Sequence, residues 1–260
     1  MQITKKKEDL KVTCKAVILD YIGTLVNPQN YRLEASIAKL HEALDNAGLK
    51  TNPRGFLEAY KEAHEKHRIT RYEKLREVTN AVWVSEALNK IGCMVTMEDS
   101  RLKSGLNVFF QDFVHSLKLR PHAKKLLEIA SENCKVGLVS NFTYAPAIYL
   151  SLRKLEISQF FNAVVISHDV GWRKPHRIIF EQALKVLQVK AKEAVYVGDS
   201  TTEDIKGAKT VGIKTIFVPS QFCTLAELQR CGEKPDLIVR NLREICAAFP
   251  HILSLDSFEE

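Results

Sequence analysis

Short apolar runs rich in β-branched residues recur along the chain, each closing on a polar residue: "CKAVILD" (14–20), "KVGLVSN" (135–141), "NAVVISH" (162–168), "AVYVGDS" (194–200) and "KTIFVPS" (214–220). "DLIV" (236–239) is a weaker sixth. Continuous apolar runs of this length predict strands buried on both faces, and so a parallel sheet. Helical patterns lie between them. "RPHAKKLLEIASEN" (120–133) carries Pro121 near its start, where a missing N–H costs nothing. "PHRIIFEQALKVLQV" (175–189) and "TTEDIKGAKTVG" (201–212) follow the same plan. Strand alternating with helix predicts a doubly wound α/β sheet.

One interval breaks the alternation. From about Pro28 to about Leu117 the pattern is helical throughout. Leu33, Ile37, Leu40 and Leu44 mark an amphipathic helix that stops near Gly48, and "NPRG" (52–55) starts another. Apolar positions recur through Trp83, Leu88 and Ile91, and a further helix is expected from Leu102 to Val114. A single crossover rarely needs so many residues. The expected organisation is therefore a core of residues 1–26 and 118–260, with a helical cap domain, 27–117, over the carboxyl end of the sheet, where open α/β sheets hold their ligands.

Composition narrows the function classes. The chain has 260 residues, 45% hydrophobic and 27% charged, enough for a substantial core. Its net charge of +7 favours anionic ligands, but the charges are interspersed, so no nucleic-acid partner is expected. The tight basic run Lys5-Lys6-Lys7 stands beside Glu8 and Asp9 and is expected to be a solvated tail. The cysteines at 14, 93, 134, 223, 231 and 246 form no C-x-x-C pair, which argues against a zinc site or a disulfide framework. With no run of membrane-spanning length and no apolar leader, the expectation is no membrane association and a cytoplasmic location.

Four strand ends carry residues suited to chemistry: Asp20 with Gly23 and Thr24; Ser140 with Asn141; Trp172 to Pro175, including Lys174; and Gly198, Asp199 and Ser200, with Asp204 five residues on from Asp199. Singly, each has an ordinary use as a cap, turn or solvated charge. Together they would face one crevice. There Asp20, Asp199 and Asp204 would repel one another without a cation, and an all-oxygen donor set suits Mg²⁺. Asp20 could then attack phosphorus, with Lys174 offsetting charge and Ser140 holding phosphoryl oxygens.

Asp20…Thr24-Leu25, Ser140-Asn141, Lys174-Pro175 and "VGDSTTEDIKGA" resemble, in order and spacing, the four motifs of the haloacid dehalogenase (HAD) superfamily. The inserted helices resemble the C1 cap of its subfamily I. The resemblance implies a Rossmann-like core, a closing cap and Mg²⁺. It makes Asp20 the nucleophile, Ser140 a phosphate contact and Lys174 the charge-neutralising lysine. Asp199 and Asp204 become metal residues beside Asp20 and the backbone carbonyl of Ile22. Thr24, Asn141 and Tyr21 are expected to border a small phosphorylated substrate.

Ile22 departs from the pattern. Phosphatases of the family usually carry an aspartate there, which protonates the leaving oxygen and helps activate water. Isoleucine does neither, and losing a general acid/base typically costs about 10²–10⁴ in rate. One reading is a Mg²⁺-dependent phosphatase with altered proton handling, least impaired on acyl or aryl phosphates. Another is dehalogenase-like chemistry on a halogenated molecule, or phosphonatase-like chemistry through a cap lysine such as Lys61, Lys66 or Lys74. A third is a weakly active or non-catalytic phosphate-binding protein. Glu62, Glu65, His64 and His67 are candidate replacement acids, with surface salt bridging as their ordinary use.

Overall fold

The computed structural model describes residues 13–254; the run Lys5-Lys6-Lys7 falls outside them. The elements in chain order are β1 (Ala16–Leu19), β2 (Val26–Pro28), α1 (Leu33–Asn46), α2 (Pro53–Lys66), α3 (Arg68–Tyr72), α4 (Asn80–Lys90), α5 (Ser100–Ser116) and β3 (Leu117–Leu119). There follow α6 (Ala123–Asn133), β4 (Lys135–Ser140), α7 (Ala145–Lys154), β5 (Ala163–Ile166), α8 (Ser167–Val170), α9 (Arg177–Leu187), β6 (Ala194–Gly198) and α10 (Lys206–Thr210). The chain continues through β7 (Lys214–Phe217), α11 (Leu225–Cys231), β8 (Leu237–Ile238) and α12 (Leu242–Leu253).

Six strands form one parallel sheet in the order β5-β4-β1-β6-β7-β8. β1 is buried at all four positions, and its residues alternate between layers. Val17 and Leu19 join the core that includes Leu126, Leu127 and Ile245, whereas Ala16 and Ile18 join Phe180 and Leu187 on the opposite face. That two-sided burial explains why the strands read as unbroken apolar runs. The chain leaves β1 toward β4 and β5, then crosses back to β6 on the other side. The carboxyl ends of β1, β4 and β6 therefore converge at the switch point, where a crevice opens.

Between residues 28 and 117 the chain is helical, as the periodicity predicts. α1 packs on α5 and α2 on α4. Asn52 caps α2, its side chain accepting from Arg54 N (3.0 Å) and Gly55 N (3.2 Å). The insertion enters and leaves through an antiparallel ribbon pairing Val26 with Leu119 and Pro28 with Leu117. Hydropathy does not announce these strands, because three residues are too few to show an alternation. The short α3 is likewise unannounced.

Candidate active site

The turn after β1 sets the site. Leu25 N and Val26 N both donate to Tyr21 O (2.9 and 3.0 Å), folding the chain back directly after Asp20. Gly23 at the turn has φ +100°, and a Cβ there would collide with the Asp199 carboxylate. Both requirements demand glycine. Arg120, just past β3, donates to Gly23 O and to Pro219 O (2.8 Å), tying this turn to the loop after β7.

At the centre is the Lys174 ammonium. It donates to Asp20 Oδ1 and Asp204 Oδ1, both at 2.7 Å, and to Val139 O and Tyr196 Oη, both at 3.1 Å. Lys174 is only 2% exposed. Burial alone would lower its pKa, but Asp20 and Asp204 outweigh burial and hold it protonated. Asn141 fixes the loop that delivers it, accepting from Lys174 N (2.7 Å) and donating to Lys174 O (3.0 Å).

Asp204 lies in the first turn of the helical segment Thr201–Ile205 after β6. Its Oδ2 accepts from Ser200 N (2.9 Å), and its Oδ1 also accepts from Tyr196 Oη (3.0 Å). Gly198 leaves room for it, since a Cβ there would lie 2.5 Å from Asp204 Cγ. Asp199 accepts from Ser220 Oγ at Oδ2 and from Thr24 Oγ1 at Oδ1 (3.3 Å).

One carboxylate oxygen from each of Asp20, Asp199 and Asp204 lies within 4.8 Å of the others. One lysine cannot neutralise three such groups. Burial, then repulsion by Asp204 and Asp199, pushes Asp20 upward despite Lys174. Asp199 is pushed up to about 6, by burial first and then by Asp204. Asp20 Oδ2 is buried with no hydrogen-bond donor among the described residues. A surplus of negative charge and an unmatched acceptor are the features that an all-oxygen divalent cation site would require.

These groups line a cleft of about 400 Å³, together with Ile22, Ser140, Asn141, Glu203 and an apolar wall. Some expectations need correction. Tyr21 is fully buried with its hydroxyl 2.7 Å from Ser151 Oγ, so it packs inside the core and does not border substrate. Thr24, also fully buried, supports Asp199 from behind. Asn141 does line the cleft, but both ends of its amide are engaged by the Lys174 backbone. Trp172 stacks on His176 (3.8 Å) outside the cleft. None of Lys61, Lys66, Lys74, Glu62, Glu65, His64 and His67 lines it. Lys66 and His67 pair with Glu86, and Glu62 with Lys90.

Tyr196, Ser220, Arg120 and Glu203 are the participants that motif spacing missed. Tyr196 had a signal, a polar-tipped ring inside an otherwise aliphatic strand; Arg120 had none.

A family profile described as haloacid dehalogenase-like hydrolase matches residues 17–218, spanning Asp20, Lys174, Asp199 and Asp204. The chain belongs to the haloacid dehalogenase-like hydrolases. Several curated relatives are named glyceraldehyde 3-phosphate phosphatase, two of them from Pyrococcus furiosus and Methanothermobacter thermautotrophicus. That from Pyrococcus furiosus is 40% identical over 48% of this chain and 52% of its own length. That from Methanothermobacter thermautotrophicus is 30% identical over 83% of this chain and 89% of its own. The match thus spans about half the length of the first relative and most of the second. Among solved structures, the magnesium-bound putative HAD hydrolase YfnB from Bacillus subtilis superposes with a TM-score of 0.54 at 19% identity, over 93% of this chain and 99% of that one. This likeness concerns the fold.

Proposed function

We propose that this HAD hydrolase is a Mg²⁺-dependent phosphatase acting on a small phosphorylated molecule through an aspartyl-phosphate on Asp20. The observation that carries the reading is the clustering of Asp20, Asp199 and Asp204, with one buried ammonium bound to Asp20 and Asp204 and with Asp20 Oδ2 lacking a donor among the described residues. The phosphatase names of the two relatives support it.

Asp20, Asp199, Asp204 and the Ile22 carbonyl are the groups assigned to the cation. When bound, Mg²⁺ neutralises charge on the carboxylates and polarises the phosphoryl oxygens. In the first step a carboxylate oxygen of Asp20 attacks phosphorus, the ester P–O bond breaks and the leaving oxygen departs with the bonding pair. Lys174 stays protonated and offsets the charge on Asp20 and the phosphoryl group, and Ser140 offers its hydroxyl to a phosphoryl oxygen. Water then attacks the aspartyl-phosphate, releasing inorganic phosphate and restoring the carboxylate. Ile22 takes no part in moving protons. Phe113, at the cleft wall, comes from α5, which supports a cap role for residues 27–117.

The all-oxygen acidic cluster favours this reading over dehalogenase-like chemistry, and no lysine lines the cleft among the described residues, which disfavours a Schiff base. The test is Asp20→Asn. Hydrolysis of p-nitrophenyl phosphate with Mg²⁺ should fall to background; retained turnover would remove Asp20 as the nucleophile.

A further inference from the structure

We infer that the ester cleaved at Asp20 carries a planar, apolar, phenol-type leaving group without a second anionic centre. The inference rests on the phosphatase reading and narrows its substrate class.

The cleft wall supplies the first observation. Beyond the acids, the lining includes Ile22, Phe113, Phe142, Phe222 and Cys223. Phe113 and Phe142 stack with centroids 5.1 Å apart and planes 24° apart, and Phe222 stands 54% exposed at the cleft. Aromatic surface of this kind favours a flat apolar group, by burial and by ring–ring contact.

Charge supplies the second. Apart from Asp20, Asp199 and Asp204, the charged side chain lining the cleft is Glu203; no lysine, arginine or histidine lines it among the described residues. Arg173 lies 3.9 Å from Glu203, but its guanidinium is already bound by Glu77 at 2.7 Å. A leaving group with its own phosphate or carboxylate would face Glu203 without a free cation, and like charges repel.

Ile22 supplies the third, through chemistry rather than shape. Its side chain is half-buried and packs against the main core, presenting hydrocarbon at the cleft. An alkyl leaving oxygen, with a pKa near that of water (about 15.7), needs a proton as the ester bond breaks. A phenolic oxygen, with a pKa of about 10, departs far more readily as the anion. Shape, charge and proton demand thus select one class.

The test compares phenyl phosphate with glyceraldehyde 3-phosphate and glycerol 3-phosphate, with Mg²⁺, in wild type and Ile22→Asp. In parallel, calorimetry compares binding of the non-hydrolysable phenylphosphonate and propylphosphonate. Wild type should prefer phenyl phosphate in kcat/KM by at least about 10²-fold, and Ile22→Asp should shrink that ratio by raising turnover of the alkyl esters. Phenylphosphonate should bind about tenfold more tightly than propylphosphonate, and Phe142→Ala should erase the difference. Alkyl esters matching phenyl phosphate in wild type, or equal binding of the two phosphonates, would overturn the inference. If every ester is inert but phenylphosphonate is still preferred, the phosphatase reading fails and the aryl preference of the cleft stands.

Discussion

Gly23 shows how little freedom the site allows a single residue. Its φ of +100° is in the left-handed region, and the space a Cβ would need is held by the Asp199 carboxylate. Gly23→Ala must displace either the turn carrying Asp20 or Asp199 itself. Turnover is expected to drop by at least about tenfold, because misplacing reacting groups by an ångström costs far more than the methyl group's bulk suggests. A wild-type rate in Gly23→Ala would mean that the turn relaxes freely. Asp20, Lys174, Asp199 and Asp204 were legible in the sequence because each directly follows a buried strand or sits at a fixed offset from one. The roles of their neighbours were not. Tyr21 and Thr24 turn inward because the chain folds back immediately after Asp20, a matter of turn hydrogen bonds that hydropathy does not encode.

At the scale of elements, the segment after α3 is fastened to the loop that delivers Lys174. Glu77, its side chain fully buried, accepts from Arg71 (3.2 Å), Arg173 (2.7 Å) and the Ser167 hydroxyl. Backbone bonds run beside it, from Glu77 N to Gly171 O (3.0 Å) and from Arg173 N to Leu75 O (2.9 Å). Arg76 lies over the Trp172 ring at 4.2 Å. Glu77→Leu leaves two buried guanidinium groups without their carboxylate, which should cost about 3–5 kcal/mol of stability in urea unfolding. A loss under about 1 kcal/mol would show that water takes over the pairing. Nothing in the sequence marked Glu77, since its partners come from two segments about 90 positions apart in the chain, close only once the helical insertion is in place. The insertion itself was legible, because helix periodicity persists through it; its ribbon was too short to see.

For the molecule as a whole, the cluster of acids is a local liability that a bound cation would relieve. Ligand binding to the folded state stabilises by mass action, about 2.7 kcal/mol at a hundredfold excess over Kd. Millimolar Mg²⁺ should therefore raise the melting temperature of wild type by several degrees and that of Asp199→Asn by much less. An equal shift in both proteins would place the cation elsewhere. The net charge of +7 adds a long-range attraction for a phosphorylated substrate, so kcat/KM should fall with ionic strength. Among the described residues no helix is long and apolar enough to cross a membrane.

Covalent catalysis by Asp20 is the claim on which the rest depends. The most direct measurement is rapid acid quench of the protein during turnover of p-nitrophenyl phosphate with Mg²⁺, followed by mass spectrometry of the peptide carrying residues 16–26. A phosphoryl adduct on Asp20, formed within the first turnover and absent from Asp20→Asn, is the predicted result. Turnover with no adduct on that peptide, or with the phosphoryl group on another residue, would contradict it.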